Sequence, residues 1–133
     1  TVDDLALLEA VDEALATVTT QIQRVELRAA LRTGMAAAAA VNAYLNVMEP
    51  WKLAKADTDR ARVVLGTALA AVSGVRVALA PYLPFSTVAL DDVLGPVEGW
   101  ERRDPQPGSP VGKPTPLFAK VDLAMLLADR DDG

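Results

Sequence analysis

The sequence predicts an all-α protein, an antiparallel helical bundle with an extended Pro/Gly-rich C-terminal arm and a short terminal helix. Hydrophobic residues make up 51% of the 133 residues but aromatic residues only 5%, which indicates an aliphatic core. Ala and Leu, which are strong helix formers, supply much of it. Apolar residues also recur at three- and four-residue spacing in three long segments, as they do in amphipathic helices that pack side by side.

The first helix is predicted from Asp3 to about Thr20. Asp3 and Asp4 suit its N-terminal end, where the helix dipole favours negative charge. The apolar face predicted for this helix consists of Val2, Leu5, Leu8, Val11, Leu15 and Val18.

The second helix is predicted from about Val25 to Met48. Pro50 is expected to end it, because proline lacks an amide donor and disfavours helical geometry at Glu49. The predicted apolar face consists of Leu27, Leu31, Met35, Ala38, Leu45 and Met48.

The third helix is predicted to start at Asp57 or Thr58, both good capping residues, and to reach about Leu79. Gly66 and Gly74 are expected to be points of close contact with a neighbouring helix. The predicted apolar face consists of Val64, Ala68, Leu69, Val72, Val75 and Leu79.

The chain changes character after Pro81 and Pro84. A short helix is predicted from about Phe85 to Leu94, which completes the bundle of residues 1–94. Six prolines and four glycines lie between positions 95 and 116 and predict an extended arm, residues 95–121, packed on the bundle or on a neighbouring domain. Residues 122–133 are expected to form a short helix and an acidic tail.

The residue types that are missing exclude several classes of chemistry. With no Cys and no His, the chain has no disulfide, no thiolate or imidazole metal site and no Ser-His-Asp triad. No pair of acids stands out for carboxylate catalysis, so we expect neither a catalytic residue nor a metal site. The acidic start and the short apolar run Val63 to Val75 predict a cytoplasmic protein with no membrane partner.

Basic residues are concentrated in the middle of the chain, although the net charge is −5. Residues 24–76 carry eight basic and four acidic residues. Arg24, Arg28 and Arg32 are predicted to repeat along one helical face. Such a row is either a solvated outer face or a stripe that follows nucleic-acid phosphates, and charge alone does not decide between them.

The segment NAYLNVMEPWKLAK, from Asn42 to Lys55, carries a specific pattern. An Asn late in one helix, Glu-Pro-Trp-Lys at the turn and Ala-Lys before the next helix resemble the anticodon-binding domain of methionyl-tRNA synthetases. The resemblance covers most of residues 5–122, because the flanking segments follow in the family's order: ELRAAL (26–31), TAL (67–69), LAPYLP (79–84), and GKPTPLF (112–118) followed by Asp122.

The resemblance implies a function and a site. The family activates methionine with ATP and esterifies it to tRNA, and its helical domain recognises the CAU anticodon. Trp51 would then stack on an unstacked anticodon base, with Asn42 and Pro50 shaping the platform. Without the resemblance, Trp51 is more simply a hydrophobic plug at the end of the helical hairpin. The alternative for Asn42 is a helix-to-helix hydrogen bond that orients the Pro50 turn.

The resemblance also implies that Lys52 and Lys55 reach phosphates. The row of Arg24, Arg28 and Arg32 would face either tRNA or the catalytic domain. Tyr44, Trp100 and Phe118 are expected to be packing residues.

Parts of the family pattern are absent from this sequence. It lacks the family's two catalytic signatures, His-Ile-Gly-His and Lys-Met-Ser-Lys-Ser, and the preceding helix that bears a Gly-Asn and an Arg. We therefore expect binding of initiator and elongator methionine tRNA without catalysis. The catalytic domain of the same enzyme, covalent or separate, would use ATP with magnesium, and this chain would hold no cofactor.

Two alternatives remain open on the sequence alone. One is the related domain of another class I synthetase, such as the leucyl or cysteinyl enzyme. The other is a helical protein-interaction module that has kept the fold and lost RNA binding.

Overall fold

A computed structural model describes residues 1–119, and the helix and acidic tail predicted for 122–133 lie outside that range. The described residues form helices and no strand, which confirms the predicted all-α bundle. Residues 95–119 follow the last helix without further helical structure. The helices are α1 (Val2–Gln23), α2 (Leu27–Met48), α3 (Pro50–Ala56), α4 (Thr58–Leu79), α5 (Pro84–Ala89) and α6 (Asp91–Leu94).

The three long helices α1, α2 and α4 form the bundle, and each packs against the other two. Each has 22 residues, which corresponds to about 33 Å of helix. The core between them is aliphatic, as predicted, and its largest fully enclosed side chains are Val11, Val18 and Val64. The C-terminal half of α4 is buried on almost every side, because the arm covers the surface that α1 and α2 leave open.

Helix α4 is long and apolar enough to pass a length-and-composition test for a membrane span. Its most apolar window has a mean hydropathy of 1.6, but 61% of that window is buried inside the bundle. Core helices of globular proteins pass the same test. The burial of α4 is therefore explained by its position between α1, α2 and the arm.

The predicted apolar face of α1 is wrong in its first turn. Val2 and Leu5 are exposed, by 83% and 62%, whereas Asp4 is only 4% exposed. Asp4 is buried because Arg60 and Tyr44 reach it from α4 and α2. From Leu7 onward the buried positions follow the helical repeat.

Helix α2 starts two residues later than predicted, which breaks the expected row of arginines. Arg24 caps the end of α1, and Val25 has a left-handed backbone (φ 61°) that interrupts the helix. Arg24 is therefore not on the face of α2, and the predicted spacing is wrong for this residue. Arg28 and Arg32 do lie on α2, and both are exposed.

Pro50 ends one helix and begins another. Helix α2 stops at Met48, and Glu49 adopts a left-handed conformation (φ 44°). Pro50 is then the first residue of α3, a position where its missing amide hydrogen leaves no helical bond unmade. Helix α3 was not predicted, because a proline at the start of a helix and a proline in a turn look alike in sequence.

The extended arm returns across the bundle. The guanidinium of Arg102 donates to both carboxylate oxygens of Asp12 on α1, at 3.0 and 3.1 Å. The backbone amide of Arg103 donates to the Ser73 hydroxyl on α4 at 3.1 Å. The first part of the arm therefore packs on the groove between α1 and α4.

The buried side chain of Arg76 joins α4 to the start of the arm. Its Nη1 atom donates to Asp91 at 3.1 Å and to the carbonyl of Gly95 at 2.9 Å. Burial lowers the pKa of Arg76, and the neighbouring Asp91 opposes that shift.

Gly66 and Gly74 of α4 are both predicted to make close interhelical contacts, but only Gly74 does so. A Cβ atom on Gly74 would overlap Val11 Cγ1, which confirms close approach to α1. A Cβ on Gly66 would meet nothing within 4 Å, so that prediction is wrong. Gly34 of α2 makes a second close approach, with its Cβ position 2.8 Å from the Leu79 side chain.

We expect Gly74→Ala to destabilise the protein and Gly66→Ala to stabilise it. Overpacking against Val11 costs about 1–3 kcal/mol, whereas replacing an interior helix glycine by alanine gains about 1 kcal/mol at an open position. Urea denaturation of the two variants measures both effects. A stabilised Gly74→Ala variant would contradict the packing of α4 on α1.

Candidate nucleic-acid interface

Trp51 lies on the surface at one end of the bundle. It is the second residue of α3 and is 55% exposed, whereas its neighbour Pro50 is buried. A plug at the end of the helical hairpin would be enclosed by apolar side chains. The exposure of Trp51 therefore favours a ring that is open to a ligand over a plug.

The backbone before Trp51 is held in place by a tight turn. The Lys52 amide donates to the Glu49 carbonyl at 2.8 Å, and the Lys52 Nζ atom lies 2.8 Å from the Glu49 carboxylate. Leu53, one turn of helix from Glu49, packs on the core. Pro50 is buried and Leu53 partly buried, and together they leave the Trp51 side chain on the outer side of α3.

The lysines of α3 stand beside the exposed tryptophan. Lys52 and Lys55 are both exposed, and Lys55 is in the last turn of α3. The pair that Lys52 forms with Glu49 is also exposed, and such pairs contribute only about 0–1 kcal/mol. Lys52 can therefore exchange the Glu49 carboxylate for a phosphate at little cost.

One continuous exposed face of α2 runs towards α3. At 100° per residue, Arg28, Arg32, Asn42 and Asn46 fall in one sector, opposite the buried row of Ala30, Gly34, Ala37 and Val41. We call these four exposed residues the outer α2 face. It extends for about 27 Å, from the first turn of α2 almost to the turn that carries Trp51.

The predicted site residues Asn42 and Arg24 lie at different distances from Trp51 along α2. Asn42 is exposed rather than set between helices, so its amide is open to solvent. Asn46 follows Asn42 by one helical turn. It is not among the predicted site residues, although the four-residue spacing between the two asparagines is evident from the sequence. Arg24 lies at the opposite end of α2 from Trp51, at least the length of α2, about 33 Å, away along the helix.

A buried polar cluster lies at the same end of the bundle as Trp51. We call Asp4, Tyr44 and Arg60 the Asp4 cluster. The Tyr44 hydroxyl donates to Asp4 at 2.5 Å, and two Arg60 nitrogens donate to the same carboxylate at 2.5 and 2.8 Å. Tyr44 is buried, as expected of a packing residue, but its hydroxyl bond to α1 was not predicted.

The Asp4 cluster shifts the pKa values of its members. The hydrogen bonds from Arg60 hold the pKa of Asp4 far below its usual range, although burial opposes the shift. Burial, together with the Asp4 carboxylate, raises the pKa of Tyr44 to about 12. Asp4 is therefore charged and Tyr44 is neutral throughout the physiological range.

Trp100 and Phe118, which are predicted to be packing residues like Tyr44, are more exposed than Tyr44. Trp100 is in the arm, 41% exposed, beside Thr19, Ile22 and Pro81. Phe118 is 65% exposed, so its predicted packing role is wrong within residues 1–119. Across the same residues, no group of three or more acidic side chains is placed to hold a metal ion.

Comparison with known proteins shows the family that this chain matches. The sequence model of the family described as the anticodon binding domain of methionyl tRNA ligase matches residues 1–124. The chain belongs to this family. The resemblance carried by the Asn42 to Lys55 segment is thereby confirmed.

Relatives in this family are about one-third identical to the chain. The methionine–tRNA ligase of Roseiflexus sp. (strain RS-1) is 35% identical over 154 residues, which cover 92% of this chain and 26% of the ligase. That of Nocardioides sp. (strain ATCC BAA-499 / JS614) is 33% identical, over 95% of this chain and 26% of the ligase. The chain thus spans about a quarter of the length of these relatives.

The raised pKa of Tyr44 predicts a stability difference that depends on pH. The unfolded tyrosine titrates near 10, and the folded one at about 12. The neutral hydroxyl therefore stabilises the fold fully below pH 10, and this contribution is lost as pH rises towards 12.

We expect wild type to melt above Tyr44→Phe at pH 8, and the difference in Tm to shrink between pH 10 and 12. Thermal melts followed by circular dichroism over that range measure it. A difference that stays constant up to pH 12 would contradict the bond between Tyr44 and Asp4.

Proposed function

We propose that this chain binds methionine tRNA at its CAU anticodon, with one unstacked anticodon base resting on Trp51. The observation that carries the proposal is an exposed indole held at a rigid turn in a member of this anticodon-binding family. Bases splayed out of an RNA loop are recognised by aromatic stacking. Each such stack contributes about 1–3 kcal/mol.

The residues around Trp51 have complementary roles in this proposal. Pro50 is buried and holds the backbone, so the indole loses little conformational freedom when RNA binds. The Asn42 amide can donate and accept hydrogen bonds at a base edge. Lys52 and Lys55 neutralise phosphates on either side of the stacked base.

The outer α2 face extends the contact along the anticodon stem. Arg28 and Arg32 lie on the same side of α2 as Asn42, so a stem held at Asn42 passes over both guanidinium groups. The acidic net charge does not oppose this arrangement, because phosphates respond mainly to charges within about 8 Å at physiological salt. Arg24 lies beyond the start of α2, outside the outer α2 face, so a phosphate contact there would belong to the far end of the stem.

The rest of the proposal concerns the whole enzyme. The chain would act as the tRNA-binding part of a cytoplasmic methionine–tRNA ligase, for initiator and elongator tRNA. Methionine activation, with ATP and magnesium, would belong to the catalytic domain of that enzyme, covalent or in a separate chain.

A second candidate function is a protein-interaction module with no role in RNA binding. The observation that favours it is the apolar surface of α5, where Phe85 and Val88 are 90% and 64% exposed and one turn apart. This module would bind a protein through α5 and would be indifferent to RNA. Binding of anticodon stem-loop RNA therefore separates the two functions.

Replacing the stacking residue gives the most direct test. Trp51→Ala is expected to weaken binding of a CAU anticodon stem-loop by about 5- to 150-fold, the equivalent of one lost stack. Trp100→Ala is the matched control, since it removes the other partly exposed tryptophan from the arm, and its affinity should be unchanged. Equal affinity of wild type and Trp51→Ala, measured by fluorescence anisotropy of labelled RNA, would refute the stacking role.

The salt dependence of binding tests the outer α2 face. Each of Arg28→Gln and Arg32→Gln should lower the slope of log K against log salt by about 0.7–0.9, the value of one phosphate contact. Arg62→Gln is the control, because Arg62 is an exposed arginine on α4 that pairs with Asp59. If all three variants change the slope equally, the effect comes from net charge and not from contacts on α2.

A further inference from the structure

Helix α3, which carries Trp51, lies between two helices that both donate hydrogen bonds to the buried carboxylate of Asp4. Helix α3 is separated from α2 by the single residue Glu49, and from α4 by the single residue Asp57. With such short connections, the position of α3 depends on where α2 ends and where α4 begins. Tyr44 is one turn before the end of α2, and Arg60 is in the first turn of α4.

The Asp4 cluster joins these two points through α1. Asp4 accepts hydrogen bonds from Tyr44 and from both terminal nitrogens of Arg60, all between 2.5 and 2.8 Å. Arg60 Nη2 also lies 3.8 Å from the sulfur of Met48, the last residue of α2. The start of α4 is therefore held against the end of α2 by directional bonds.

Apolar side chains also pack this end of the bundle, but apolar contacts are non-directional. The middle of α2 is the run Ala36 to Ala40, whose short side chains interlock little with neighbouring helices. A buried carboxylate is different, since a small displacement leaves its charge without partners at a high energetic cost.

We propose that Tyr44 and Arg60, through their bonds to Asp4, position α3 so that the Trp51 indole is presented to the anticodon base. They are positioning residues and do not touch RNA themselves. This inference rests on the proposed function for the identity of the ligand. The restricted motion of the Trp51 side chain, however, is a property of the protein without RNA. Loss of either bond releases α3 while the rest of the core stays packed.

The experiment uses the full chain with Trp100→Phe, which leaves Trp51 as the only tryptophan. Tyr44→Phe removes one hydroxyl, and Arg60→Lys keeps the charge but loses the two-nitrogen contact with Asp4. Two quantities are measured at a temperature where circular dichroism shows each variant folded: the local motion of Trp51, from its fluorescence anisotropy decay, and the Kd for the CAU stem-loop. Having two variants keeps the test decisive if one fails to fold.

Both variants are expected to increase the motion of Trp51 and to weaken binding by about 2- to 10-fold, the cost of ordering one released side chain on binding. Gly74→Ala is the control for lost stability, because its clash with Val11 lies away from α3. It should leave Trp51 motion and Kd unchanged.

A double-mutant cycle separates positioning from other effects. Because the cluster acts through Trp51, Tyr44→Phe should weaken binding when Trp51 is present and have no further effect in Trp51→Ala. An equal loss in both backgrounds, or unchanged Trp51 motion in both cluster variants, would overturn the positioning role. If Trp51→Ala itself binds normally, the proposed function fails, and the anisotropy decay still decides whether the cluster orders the indole.

Discussion

The buried carboxylate of Asp4 is the interaction on which this end of the molecule depends. It lies in the first turn of α1 and receives hydrogen bonds from α2 and α4, so one group connects all three long helices. Removing one partner of such a buried pair typically costs about 3–5 kcal/mol. The same bonds that hold the bundle therefore determine where α3 and its exposed tryptophan lie.

Small residues provide the second constraint, along the length of the bundle. Gly74 meets Val11 and Gly34 meets Leu79, and in each case a methyl group has no room. Close approach brings the aliphatic core into dense contact despite the low aromatic content. Polar contacts connect the same helices at two further points: the Asp4 cluster at one end, and Arg102 with Asp12 where the arm crosses α1.

The division between rigid framework and exposed contacts suits RNA recognition. Pro50 and Leu53 face inward from α3, whereas Trp51 and the two lysines face outward. The arginines and asparagines of the outer α2 face continue the same surface. An acidic protein can present this basic, aromatic strip because most of its acidic residues lie outside residues 24–76, on α1 and in the C-terminal third.

The sequence by itself determined the helical architecture, because helix periodicity, proline breaks and the Asp57 cap are encoded over short stretches of chain. It also located Trp51 within a recognisable motif. Only the tertiary structure showed that Asp4 is buried, since its partners are 40 and 56 residues away. It likewise showed Val25 breaking the row of arginines and Pro50 starting a helix. Local patterns specify backbone hydrogen bonding, whereas the environment of a charged side chain depends on which distant segments pack against it.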